Sequence, residues 1–308
     1  MLVEYHRNML SDKPRNKAFH RALEKLIVKG KTTVADIGSG TGVLGFMASR
    51  LGAKDVYLYE QAGVMELSQR LAKANKIRNC HFFHGHSTEA EDPPMVDVIV
   101  TETLGNYALE ENIIATVEDA KRFLKPGGTI IPQTITHFVA PVVNDRFHKE
   151  LMIWDDVGYG LDFSAAKEMS LNNIYVRTFK NSDLLKNSAK AWDTVDLRKK
   201  NSSTRRGGAE WVLESNTEIY GFAVWWECGV LPGITLSTAP GAPKTHWEQL
   251  YFPASTPLQG RRGDRLSVDL TSISSYEAGT DVGWRIALHK AKGGEVVRQS
   301  FDLRKGFI

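Results

Sequence analysis

Apolar positions along the first half of the chain follow two alternating periods. In KAFHRALEKLIV, Phe19, Leu23 and Leu26/Ile27 fall on one face at helical spacing, which predicts a helix. TTVADIG then reads as a short strand ending in glycine, and GVLGFMASRLG as a helix closed by Gly52. DVYLYE is a second strand and AGVMELSQRLAKANK a second helix. CHFFHG, VDVIVTE and GTIIPQTITHFVAPVV follow as strands. Between the last two lies an amphipathic helix, NIIATVEDAKRFLKPGG, ended by its Pro-Gly-Gly. Strands alternating with helices of this length imply a parallel, doubly wound α/β sheet.

The pattern changes after about residue 144. RFHKELMIWDDV and NSDLLKNSAKAW are helix-like, and from about residue 193 short alternating strands take over, among them IYGFAVWWECG, RLSVDLTSI and VGWRIALHK. Short strands punctuated by Gly, Pro and Ser predict a β-barrel or sandwich. The expected organisation is an N-terminal segment 1–16, an α/β nucleotide-type domain 17–143 and an all-β domain 144–308. A chain of 308 residues has room for both cores.

Charge narrows the picture by exclusion. Lys and Arg total 39 against 36 Asp and Glu, so nothing in the balance calls for nucleic acid or an anionic membrane. With only Cys80 and Cys228 there is no disulfide framework. The N-terminus lacks a signal-peptide core and no apolar run is long enough to span a bilayer. A cytoplasmic location is the expectation, with the nucleus left open.

Chemistry concentrates in three places. In VADIGSGTG, Asp36 ends the first strand, and Gly38 and Gly40 let the backbone approach a ligand. Glu60, closing the second strand, suits the hydroxyls of a ribose. This reads as a site for an adenosine-type cofactor and does not by itself separate a nicotinamide from S-adenosylmethionine. Glu102 and Glu111, in VTETLGNYALEEN, flank a loop at the carboxyl end of a strand, with Glu110 a competitor for the role of Glu111. Two facing carboxylates suit a guanidinium, whose planar fork of donors pairs with them bidentately. His81, His84 and His86 lie close in sequence but lack a metal-site pattern, so no metal is expected. The basic run RKKNSSTRR reads as a solvated loop, and Trp225-Trp226 as core.

Taken together, these segments resemble the protein arginine methyltransferases from about His6 to the C-terminus. HRNMLSDKPR is similar to the family's H-x-x-M-L-x-D-x-x-R, VADIGSGTG to its cofactor loop, TETLGNYALEEN to its double-glutamate loop and PKTHW to its THW loop. The resemblance implies a Rossmann-like methyltransferase domain followed by a β-barrel, with a helical dimerisation arm at about 163–189 and assembly as a homodimer. It implies that His6, Arg15, Glu60, Ser87 and Thr88 contact S-adenosylmethionine, Arg15 through the methionine carboxylate and Ser87 through its backbone. It makes the segment 1–16 a cofactor cap, although few residues precede His6 where the family carries an aromatic helix. That leaves either a shortened chain or a site closed in another way. By the same resemblance Glu102 and Glu111 hold the substrate guanidinium, and His246 orients a carboxylate and helps shed a proton. Trp247 walls the pocket, while Met9 and Ile113 stand where the number of methyl groups is set. The implied reaction is methyl transfer to arginine in a protein or peptide, with S-adenosylhomocysteine as by-product and mono- and asymmetric dimethylarginine expected. A small guanidine compound, a peptide natural product or a catalytically silent regulatory subunit are the alternatives.

Overall fold

The computed structural model describes residues 3–275, 279–291, 293–294 and 296–306. Two helices open the chain, α1 (Val3–Ser11) and α2 (Lys13–Leu26). Between them Asp12 caps α2, its carboxylate accepting the Arg15 backbone N–H at 2.9 Å. The apolar stripe of α2 is Ala18, Phe19, Ala22 and Leu23, all buried.

The α/β unit then runs β1 (Thr33–Ile37), α3 (Val43–Leu51), β2 (Asp55–Glu60), α4 (Val64–Ala74), β3 (Cys80–His84), β4 (Val96–Thr101), α5 (Ile113–Ala120) and β5 (Leu124–Ile131). The strands form one parallel sheet in the order β3-β2-β1-β4-β5. Every residue of β1 is buried, as befits a central strand covered on both faces. Strand order reverses between β1 and β4, which opens a ligand crevice at their carboxyl ends.

Two local expectations are corrected here. The helix after the acidic loop ends at Ala120 rather than at Pro-Gly-Gly. Pro126, Gly127 and Gly128 instead lie within β5, where the pairing with β4 shifts register between Val96 and Val98. The run GTIIPQTITHFVAPVV is not one strand either. It divides at Pro132, and β6 (Thr134–Val142) pairs with strands of the second domain. The change of sheet therefore precedes the boundary expected after residue 143. Proline interrupts the ladder because it has no N–H to donate.

The remaining elements are α6 (Arg146–Leu151), α7 (Ser164–Leu171), β7 (Tyr175–Arg177), β8 (Lys190–Asp196), β9 (Thr204–Val212), β10 (Thr217–Leu231), β11 (Ile234–Ser237), β12 (Gln249–Gly260), β13 (Arg265–Ser275), β14 (Gly279–His289) and β15 (Val297–Asp302). They build two antiparallel sheets, β7-β12-β10-β6-β8 with β11 on β10, and β15-β14-β13-β9. This is the β-barrel half of the expected architecture. NSDLLKNSAKAW, expected to be helical, makes only a 3-10 turn at Asn181–Asp183, and its end joins β8. Burying Trp192 between strands outweighs the helical spacing. Trp225 and Trp226 are core residues, as expected.

Candidate active site

A cavity of about 640 Å³ opens at the carboxyl ends of β1, β2 and β4. His6, Met9, Arg15, Asp36, Gly38, Gly40, Glu60, Ser87, Glu102, Glu111, His246 and Trp247 all line it. Thr88 and Ile113 are not among its lining residues. Thr88 is exposed on a 3-10 turn where its hydroxyl meets His86 Nδ1 at 2.7 Å, and Ile113 is wholly buried at the start of α5. Asn106 and Tyr5, which were given no role, do line the cavity.

At one end the backbone turns tightly over β1. The Gly38 and Ser39 N–H groups donate to the Tyr59 carbonyl at 2.9 and 3.0 Å. Glu60 braces the turn, accepting Gly40 N–H through Oε2 and Ala62 N–H through Oε1, both at 2.8 Å. Gly40 has φ +54°, and a Cβ there would stand 3.2 Å from His6 Cε1. Asp36 is buried and accepts the Gly45 N–H at 2.8 Å. Burial pushes its carboxyl up to about 7 despite that bond. Burial likewise lowers the pKa of His6, whose Nε2 has no hydrogen-bond partner among the described residues.

At the other end stand the acids. Glu102 is buried and paired with Arg15, whose Nε donates to Oε2 at 2.5 Å. Arg15 Nη1 also donates to Asn16 Oδ1 at 2.9 Å. Glu111 counts as exposed because it faces the open cleft, yet protein mass around it strips hydration from its carboxyl. That lost hydration, then the charges of Glu102, Glu110 and Glu60, raise it to about 7. Glu110 and Glu111 differ in where their side chains go, Glu111 lining the cavity. Glu110 turns back on its own loop, accepting the Tyr107 N–H at 3.0 Å, and does not line the cavity.

The THW loop closes this end from the β-domain. Trp247 is buried, donates Nε1–H to the Leu104 carbonyl at 2.5 Å and accepts from Asn106 Nδ2 at 2.5 Å. His246 contacts a carboxylate, that of Asp12. Its Nδ1 lies 2.8 Å from Asp12 Oδ2, and its backbone N–H donates to the same oxygen at 2.9 Å. Those bonds and the Arg15 N–H hold the Asp12 carboxyl below its ordinary range against the effect of burial. Asp12, which the sequence reading gave no role of its own, thus braces a residue of the cleft wall. Its signal was present, an acid immediately before Lys-Pro at a helix start. Among the described residues no group of His, Cys, Asp and Glu is arranged to hold a metal ion. His81 instead pairs with Asp55 at 2.9 Å and stacks on Tyr57.

Residues 133–288 match the arginine methyltransferase oligomerization subdomain, and residues 18–156 match ribosomal protein L11 methyltransferase. The chain is 30% identical over 286 residues to protein arginine N-methyltransferase 6 of Xenopus tropicalis, covering 87% of this chain and 83% of that protein. It is 30% identical over 280 residues to protein arginine N-methyltransferase 8-B of Danio rerio, covering 86% of this chain but 65% of that longer relative. Among solved structures, a chain of the Trypanosoma brucei PRMT1 enzyme-prozyme heterotetrameric complex with AdoHcy superimposes with a TM-score of 0.88 at 23% identity. The match covers 98% of this chain and 99% of that one, and speaks to fold.

Fold and cleft together define a methyltransferase whose α/β domain is completed by a β-barrel domain. The chain belongs to the protein arginine N-methyltransferase family, and its enzyme class is arginine N-methyltransferase.

Proposed function

We propose that this enzyme transfers methyl groups from S-adenosylmethionine to guanidinium nitrogens of arginine in a protein or peptide. The observation that carries the reading is a single cleft joining a glycine turn braced by Glu60 to the paired environment of Glu102 and Glu111. The lining fits the cofactor. His6 Nε2 is buried in it without a partner among the described residues, and Gly38 and Gly40 bring backbone to its wall. His6, Arg15, Asp36, Gly38, Gly40, Glu60 and Ser87 would hold the cofactor, with Thr88 contributing only from the exposed side of its turn. When bound, S-adenosylmethionine supplies a methyl group already activated as an electrophile.

The protein's task is then to position the acceptor. Glu102 and Glu111 grip the guanidinium and draw positive charge to its far side, leaving the attacking nitrogen more lone-pair character. The cation in turn favours the ionised form of Glu111. His246, donating Nδ1–H to Asp12, keeps Nε2 free to accept the proton released once the new N–C bond forms. Trp247 excludes water from that end. Met9, which lines the cleft, supports mono- and asymmetric dimethylation, with Ile113 acting from beneath.

Assembly follows as part of the same reading. Ile153, Tyr159 and Leu161 are 60%, 95% and 62% exposed, just ahead of the expected arm at 163–189. Apolar side chains so placed suit the isologous surface of a homodimer.

Mass spectrometry of enzyme, S-adenosylmethionine, an arginine-rich peptide and free arginine tests the proposal. Mono- and asymmetric dimethylarginine in the peptide are the expected products. Methyl on free arginine alone moves the enzyme to small-molecule chemistry, and no transfer despite adenosylhomocysteine binding points to an unmet acceptor or a missing partner.

A further inference from the structure

The backbone of the acidic loop is hung from side chains of the β-domain. Trp226 Nε1–H donates to the Asn106 carbonyl at 3.1 Å, and His137 Nε2 lies 2.9 Å from the next carbonyl, that of Tyr107. Trp247 holds the Leu104 carbonyl, and Thr280 Oγ1 reaches that of Leu109 at 3.3 Å. His137 and Trp226 face each other in register on β6 and β10, so one rung of the sheet supplies donors to consecutive carbonyls. A carbonyl can only accept, which puts the His137 proton on Nε2. His137 is wholly buried, its ring packed 5.1 Å from that of Tyr107 and 5.3 Å from that of Trp192. Burial favours its neutral form, consistent with a single donated proton.

The loop needs such support. Ala108, between Tyr107 and Leu109, has φ +65°, and Asn112 has φ +56°. Neither is glycine, and a left-handed backbone at alanine persists only where the surroundings over-determine it. The carbonyls on both sides of Ala108 are those held by His137 and Thr280.

We propose that His137 is a positioning residue for the acid pair. With Trp226, it locks the loop in the conformation that folds Glu111 back towards Glu102. This inference rests on the reading of Glu102 and Glu111 as the guanidinium clamp.

The test compares His137→Phe, His137→Gln and Trp226→Phe in the 308-residue enzyme. Phe fills the ring's place without a donor, whereas Gln keeps an N–H that reaches the carbonyl. We expect H137F to lower kcat/KM for an arginine peptide about tenfold or more, with adenosylhomocysteine affinity within about twofold of wild type. Its acidic limb of kcat/KM should also move below that of wild type. Loosening the loop separates Glu111 from Glu102 and Glu110, leaving Glu60 and His246 as the other charged groups facing it. H137Q should restore both readouts. W226F should shift them in the same direction as H137F, and carries the test if H137F fails to fold. Wild-type kcat/KM and an unmoved acidic limb in folded H137F or W226F would overturn the proposal. Glu111→Gln, run in parallel, separates the two layers. Turnover surviving in E111Q sinks the clamp itself, whereas an inactive E111Q beside wild-type H137F and W226F sinks only the role of His137.

Discussion

His246 and Asp12, 234 positions apart in the chain, share a single carboxylate oxygen that accepts both the imidazole and the backbone N–H of the histidine. The same aspartate caps α2 and so ties the first helices to the β-domain over the cleft. Asp12→Asn keeps an oxygen for the cap but loses the charge that holds the imidazole tautomer. Turnover should fall by about ten- to a hundredfold, with the general-base contribution lost. Asp12→Ala should also remove about 0.5–2 kcal/mol of stability, the usual worth of an N-cap, read by denaturant unfolding.

The two glutamates of the proposed clamp should behave differently when neutralised. Glu102 is buried against Arg15, with side-chain exposures of 3% and 4%. Glu102→Gln leaves a buried guanidinium without its counter-charge and should cost about 3–5 kcal/mol of stability as well as activity. Glu111→Gln should abolish most turnover while leaving the melting temperature at neutral pH equal to or above that of wild type. Equal destabilisation in both variants would remove this distinction.

The raised pKa of Glu111 fixes a sign for pH. Its folded-state value of about 7 lies above the ordinary 4.5, so the folded protein binds this proton more tightly than the unfolded chain. The stability it contributes is complete below the ordinary value and is lost as pH rises through about 7. The melting temperature of E111Q should therefore gain on wild type as pH rises from about 5 to about 8. Asp12 has the opposite sign, because its depressed value makes its contribution disappear on acidification. For catalysis, kcat/KM should fall below about pH 7 as Glu111 takes up a proton in the free enzyme.

Gly40→Ala places a methyl group against His6 in a left-handed backbone. Adenosylhomocysteine affinity measured by calorimetry should drop by about tenfold or more. Turnover at saturating cofactor should change less than affinity does.

Charged substitutions at Ile153, Tyr159 and Leu161 should dissociate the proposed homodimer in sedimentation without lowering the stability of the protomer, since these side chains are exposed within one chain. A protomer that sediments as a monomer before substitution would overturn the assembly.

Much of this enzyme was legible one residue at a time. Period-2 and period-3.6 spacing located β1 to β4 and helices α2 to α4, because burial on one face imposes that spacing wherever local structure forms. Asp36, Gly38, Gly40 and Glu60 stood out because a tight turn over a strand end restricts which residues fit. The order of landmarks pointed to arginine methyl transfer, and the family match bears out that class. Contacts between distant segments were decided only by the fold. Nothing in the local pattern of TITHFVAPVV says that β6 leaves one sheet for another, since a strand looks the same whichever sheet it joins. The pairing of Asp12 with His246, of Arg15 with Glu102 and of the Glu110 carboxylate with the Tyr107 N–H each depends on which side chains converge in three dimensions. Hydrogen bonds and ion pairs act over a few ångströms of space and carry no trace of sequence separation, so the chemistry of the cleft became readable only once the two domains were packed together.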